Sequence, residues 1–191
     1  MNFTSIGTKK NYLFPQDLYR YYGEDKRRFK DFFVPIEVKF IKALRKAQYY
    51  REQRNRFLYW YWELKKRRLS TKTHIQIPTV ASIGPGLHIS HFGRIIINSK
   101  VVLGKNVTLN TGITIGQTNR GKKKGVPTIG NNVWIGSNSV IVGNIHIGDD
   151  VFIAPNSFVT TDIPSHSLVI GNPIKIIQRD NATEGYLENT I

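Results

Sequence analysis

The chain has 191 residues, 40% of them hydrophobic and 21% charged, which is long enough to bury a core and ordinary for a soluble protein of one or two small domains. With 28 Lys and Arg against 13 Asp and Glu the net charge is +15, so polyanionic partners such as nucleic acid, anionic lipid or phosphorylated ligands come into view. The absence of cysteine excludes disulfides, zinc–thiolate sites and covalent catalysis through a protein thiol.

No apolar run approaches a membrane span, and Met1 to Phe14 lacks the apolar core of an export leader, so a cytoplasmic location is expected. Two compositions divide the chain. Residues 1–74 hold 19 basic and 7 acidic side chains, a net of +12, with 17 of the 22 aromatics; residues 75–191 hold 9 basic and 6 acidic, a net of +3. The expected division is a helical basic and aromatic domain over 1–74, a β domain over 75–177 and a tail over 178–191.

Within the first part Pro15 and Asp17 suit a helix start and Gly23 its end. From Ile36 to Leu69 there is no Gly or Pro, which predicts one long helix or a helical pair. Ile36, Phe40, Leu44, Ala47, Tyr50, Leu58, Tyr61 and Leu64 form an imperfect apolar stripe that needs a partner surface. Phe57-Leu-Tyr-Trp-Tyr-Trp62, followed by Lys65-Lys-Arg-Arg68, has the mixture that suits an anionic membrane interface. The same residues also suit packing between helices or subunits beneath a solvated basic face. No recognition motif accompanies the charge, so nucleic acid is not expected as a partner.

The second part repeats every six residues. Ile77, Ile83, Ile89, Ile97, Leu103, Leu109, Ile115, Ile129, Ile135, Ile141, Ile147, Ile153 and Val159 keep one register, broken by a gap of eight after Ile89 and of fourteen after Ile115. Gly follows the aliphatic residue at 84, 104, 116, 130, 136 and 148. The period fits short strands that each project one aliphatic side chain inward, joined by turns in which Gly or Asn accepts left-handed backbone angles. Three strands make a triangular coil, and thirteen repeats make four to five stacked coils of a parallel β-helix.

Ile83-Gly-Pro-Gly-Leu-His-Ile-Ser-His91, Val107 to Gln117 and Asn144-Ile-His-Ile-Gly148 resemble serine O-acetyltransferases among the hexapeptide-repeat acyltransferases. Pro127-Thr-Ile-Gly-Asn-Asn-Val-Trp-Ile-Gly136, Thr161-Asp-Ile-Pro164 and Gly171-Asn-Pro-Ile-Lys175 are similar to sugar acetyltransferases of that group as well. The resemblance spans Ile77 to Ile177 and implies a mainly β fold, a left-handed parallel β-helix behind a helical N-terminal domain. It also implies a homotrimer, or two trimers joined by the N-terminal helices, with acetyl-CoA as co-substrate bound in clefts between neighbours.

Acetyl transfer from a thioester to an alcohol needs one group to take the hydroxyl proton and later return a proton to the thiolate. His91 matches the family's base. His88 and His146 fall at outward-facing places and are expected to be exposed. A zinc site of the γ-carbonic anhydrase kind needs three converging His, and His88, His91 and His146 lie far apart along the stack, so no metal is expected. The interruption Gln117-Thr-Asn-Arg-Gly-Lys-Lys-Lys-Gly125 borders the CoA channel in the family, and Lys122, Lys123 and Lys124 are cations for CoA phosphates or a solvated basic loop. The resemblance further assigns Ser137, Pro155, Thr160, Thr161 and Lys175 to the CoA groove. The backbone N–H groups of Gly116 and Gln117 are candidates for the developing oxyanion.

This sequence departs from serine acetyltransferases at Gln76, where an Asp orients the base, at Ser90, where an acid precedes it, and at Gly125-Val126, in place of Arg-His. A zwitterionic acceptor needs both charges, whereas a polyol needs only hydroxyl-bonding groups such as Ser90, Asn98, Asn110 and Gln117. The expectation is therefore O-acetylation of a saccharide in surface polysaccharide synthesis. The alternatives are serine O-acetylation for cysteine synthesis and a non-catalytic β-helix scaffold.

Overall fold

In a computed structural model each hexad forms one short strand and one corner. The structure describes residues 12–24 and 34–191. The expectation of no export leader rests mainly on residues 1–11 and lies outside the described residues.

The first coil consists of β1 (Ile75–Gln76), β2 (Ser82–Ile83) and β3 (His88–Ile89), and the second of β4 (Ile95–Ile97), β5 (Val102–Leu103) and β6 (Thr108–Leu109). The third is β7 (Thr114–Gly116), β8 (Thr128–Ile129) and β9 (Val133–Ile135), and the fourth β10 (Val140–Val142), β11 (His146–Ile147) and β12 (Val151–Ile153). The fifth takes β13 (Phe158–Val159), a bridge from Ile163 to Ile147, and β14 (Ser167–Ile170), after which β15 (Lys175–Gln178) turns back antiparallel to β14. Stacking every third strand gives three faces: sheet A (β1-β4-β7-β10-β13), sheet B (β2-β5-β8-β11) and sheet C (β3-β6-β9-β12-β14-β15).

All thirteen register positions from Ile77 to Val159 are buried, none more than 7% exposed, and form one continuous core. Burying such an aliphatic side chain contributes about 1.5–3 kcal/mol, which is why the six-residue spacing governs the fold. The corner between sheets B and C stacks Asn106, Asn132, Asp150 and His166, all with φ between 53° and 58°. The Asn106 amide donates to Asn132 Oδ1 at 2.9 Å along this column. Beside it, a Cβ on Gly104 would stand 2.5 Å from the Gly130 carbonyl oxygen, so the coils approach too closely there for any side chain.

The N-terminal helices are α1 (Phe14–Tyr22), α2 (Ile36–Glu52) and α3 (Arg56–Thr73). A helical pair is thus formed over 36–73, broken at Gln53–Asn55, where the Asn55 side chain accepts from Leu58 N and caps α3. The break divides the apolar stripe. Phe40, Leu44 and Ala47 of α2 are buried, whereas Tyr61 and Leu64 of α3 are exposed.

The helices are fastened to the first coil by charged side chains. Arg45 grips both oxygens of Asp17 at 2.7 and 3.0 Å and donates to the carbonyls of Ile83 and Gly84. Asp17 also accepts from Leu87 N. Arg20 donates to the carbonyls of Gly86 and Glu188 and to Thr108 Oγ1, and the Tyr21 hydroxyl both donates to Ile89 O and accepts from Ile89 N. The C-terminal segment lies across sheet C. Asp150 accepts from the amides of Ala182 and Thr183, and Tyr186 packs on the stacked rings of Trp134 and Phe152.

Candidate active site

The two breaks in the hexad register become two loops on different edges of the β-helix. The shorter break carries Ser90 and His91 around the edge between sheets C and A, against the end of α3. There Gly93 N donates to Thr73 O and Ile95 N to His74 O. His91 is exposed and Ser90 half-buried. Farther along this edge follow Asn110 in the second coil, Ser137 in the third and Pro155 in the fourth.

The longer break forms a hairpin on the edge between sheets A and B, closed by a pair of hydrogen bonds between Thr118 and Gly125 at 2.9 and 3.0 Å. It leans along the stack: Asn144 N donates to Lys123 O, and Lys123 Nζ lies 2.6 Å from Asp162 of the fifth coil. Its bond to Lys123 holds the Asp162 carboxyl below the usual carboxylate range. This contact carries Lys122, Lys123 and Lys124 to the turn that holds Thr160 and Thr161, both exposed. Asn98, half-buried, and Gln117, exposed, lie on this same edge, with Gly116 at the end of β7. Lys175 is exposed at the start of β15, in register with Ile170 at the end of β14.

Asn110 is 8% exposed, and its amide donates to Ile135 O at 2.8 Å, so one of its donors satisfies a backbone carbonyl at the corner. Lys123 is paired with Asp162, whereas Arg120, Lys122 and Lys124 are the other exposed cations of the hairpin.

His88 departs from expectation. The ring of Tyr21 covers it at a centroid distance of 4.3 Å, and its Nδ1 is buried with no hydrogen-bond partner. Burial, reinforced by the charges of Arg20 and His91, pushes its pKa down to about 4, so it is a neutral imidazole beneath α1. His146 is exposed on β11, three coils from His91.

The sequence reading did not single out the surroundings of Gln76. This residue lines a groove of about 290 Å³ with Arg67, Ser70 and Ile96. Arg67 is 64% exposed at its side chain and pairs with Glu63 at 3.2 Å. The helical register of α3 offered a way to find it, since Arg67 and Ser70 fall on one face.

Residues 127–161 match the bacterial transferase hexapeptide (six repeats) family. Over 108 residues the chain is 39% identical to serine acetyltransferase of Helicobacter pylori, which covers 56% of this chain and 63% of that protein. The chain thus spans less than two thirds of that relative's length. Among solved structures, serine acetyltransferase of Neisseria gonorrhoeae in complex with serine superposes with a TM-score of 0.70 at 28% identity, covering 86% of this chain and 67% of the other. The serine acetyltransferase of Brucella abortus in complex with coenzyme A gives 0.71 at 26% identity, covering 88% and 67%. The chain thus carries a hexapeptide-repeat segment and shares its overall fold with these serine acetyltransferases.

Proposed function

We propose that this protein is an acetyl-CoA-dependent O-acetyltransferase with His91 as general base and L-serine as acceptor. The observation that carries the reading is the exposed His91 on an irregular first-coil loop, in a fold shared with a coenzyme A-bound and a serine-bound serine acetyltransferase. The His91 imidazole takes the hydroxyl proton as the acceptor oxygen attacks the thioester carbon. As the tetrahedral adduct collapses, the C–S bond breaks and the imidazolium returns the proton to the thiolate. Arg67, beside Gln76, is a cation for the acceptor carboxylate that the repeats alone do not offer. His91 and the lysine hairpin flank sheet A from opposite edges, so neighbouring copies, as in a trimer, complete each site by bringing one edge to the other.

The saccharide acceptor expected from the sequence is not what the relatives favour. It stands as a second reading because Gln76, Ser90 and Val126 still supply no charge at the aligned positions.

The test is CoA release followed with a thiol-reactive dye, to which a cysteine-free protein adds no background, using L-serine beside a panel of free and nucleotide-linked sugars. Turnover with serine is expected; turnover only with a saccharide overturns the serine assignment. His91→Ala is expected to lose about 10²–10⁴-fold in turnover while calorimetry shows CoA binding retained. Near-full activity of that variant would remove the base, and failure of the wild-type protein to bind CoA would leave a non-catalytic scaffold.

A further inference from the structure

Helix α3 is inverted. Its buried side chains are Glu63, Lys66 and Thr73, whereas Phe57, Trp60, Tyr61 and Leu64 are 83%, 49%, 52% and 54% exposed. Positions 57, 60, 61, 64 and 68 share one helical face, and the arc is bordered by Arg56, Lys65, Arg67 and Lys72, all exposed. The single acid of the helix, Glu63, is buried and paired with Lys66 and Arg67, so the exposed face carries no negative charge. Lys65, Arg68 and Lys72 rim a cleft of about 510 Å³ against Tyr61 and Leu64. Lys65 Nζ also lies 4.9 Å from the ring of Trp62.

We propose that this face docks peripherally on an anionic lipid surface, with Phe57, Trp60 and Leu64 entering the interface and Lys65, Arg68 and Lys72 receiving phosphate headgroups. The charge pattern selects the occupant. Packing against the same face of a second copy would set cations against cations with no acid to pair them, and a nucleic acid would leave Phe57 and Leu64 without an apolar phase to enter. An interfacial helix requires an apolar stripe, flanking Lys and Arg and aromatic side chains at headgroup level, and α3 has all three. Among the described residues no helix is long and apolar enough to cross a membrane, so the contact is with the surface.

Flotation of the full chain tests this with vesicles of phosphatidylcholine alone and of phosphatidylcholine with phosphatidylglycerol. Sedimentation velocity on the same samples reports oligomeric state. Binding is expected only to the anionic vesicles, with release by salt and a blue shift of tryptophan emission. Lys65→Gln/Arg68→Gln/Lys72→Gln should weaken it on the order of a hundredfold, about fivefold per cation, and Phe57→Ser/Trp60→Ser should abolish it, with oligomeric state unchanged in both. The proposal is overturned if the wild-type chain ignores anionic vesicles or binds both compositions equally. It is also overturned if Phe57→Ser/Trp60→Ser breaks an oligomer, which makes the face a contact between copies, or if a DNA duplex competes fully with vesicles and that variant retains the duplex.

Discussion

Arg45→Ala would remove a guanidinium that is 2% exposed and makes five hydrogen bonds: two to Asp17, one each to the carbonyls of Ile83 and Gly84, and one to Gln48. Asp17 is 0% exposed and would keep only backbone donors such as Leu87 N. Leaving one member of a buried pair uncompensated costs about 3–5 kcal/mol, a large share of the roughly 5–15 kcal/mol that holds a domain folded. The variant should therefore unfold at much lower urea by circular dichroism, with the α1–α2 clamp lost from the first coil. In Asp17→Asn/Arg45→Ala no charge is stranded, so the double variant should fall short of the sum of the Asp17→Asn and Arg45→Ala losses by about 2 kcal/mol or more. A loss under about 1 kcal/mol for Arg45→Ala, or strict additivity in the cycle, would refute the view that this pair fastens the helices to the β-helix.

Two further outcomes follow from the site. The unfolded chain protonates His88 near pH 6.5 while the folded chain withholds that proton until about 4. Stability should therefore fall as pH drops through this window, by up to about 3 kcal/mol, and His88→Leu should flatten the slope; equal pH slopes of the urea midpoint in both proteins would contradict the burial argument. If the hairpin serves acetyl-CoA binding rather than chemistry, Lys122→Ala/Lys124→Ala should raise KM for acetyl-CoA about tenfold with kcat within about twofold, and an unchanged KM would reduce it to a solvated loop.

The β-helix was legible because its signal is covalent spacing. One aliphatic residue per six, from Ile77 to Val159, leaves a single way to bury all thirteen, and the two breaks in that spacing mark the two loops that carry His91 and Lys122 to Lys124. The helical part was legible only as helix. Nothing in its composition distinguishes Asp17, Arg20 and Arg45, which are buried against backbone groups some forty to seventy residues or more away, from the many charged side chains that stay in water. His88 was misread for the same reason: its hexad places it outward, and only the packing of Tyr21 from another element covers it. The bond from the Asn110 amide to Ile135 O was not legible either, because an amide at a corner serves a ligand or the next carbonyl equally well and only the fold sets that carbonyl in reach.

The fastening of α1 and α2 to the first coil also bears on how copies can meet. A stack of parallel strands ends in rows of unspent amides and carbonyls, and such an end invites another stack to continue it. Here Tyr21 occupies both polar groups of Ile89, Asp17 takes the amide of Leu87, and Arg45 takes the carbonyls of Ile83 and Gly84. At the far end of sheet C, β15 reverses the strand direction, so that ladder no longer ends in a strand parallel to the coils. The cap on the first coil thus opposes growth along the axis at that end, which favours the flank-to-flank contact that the proposed function asks of the His91 edge and the lysine hairpin.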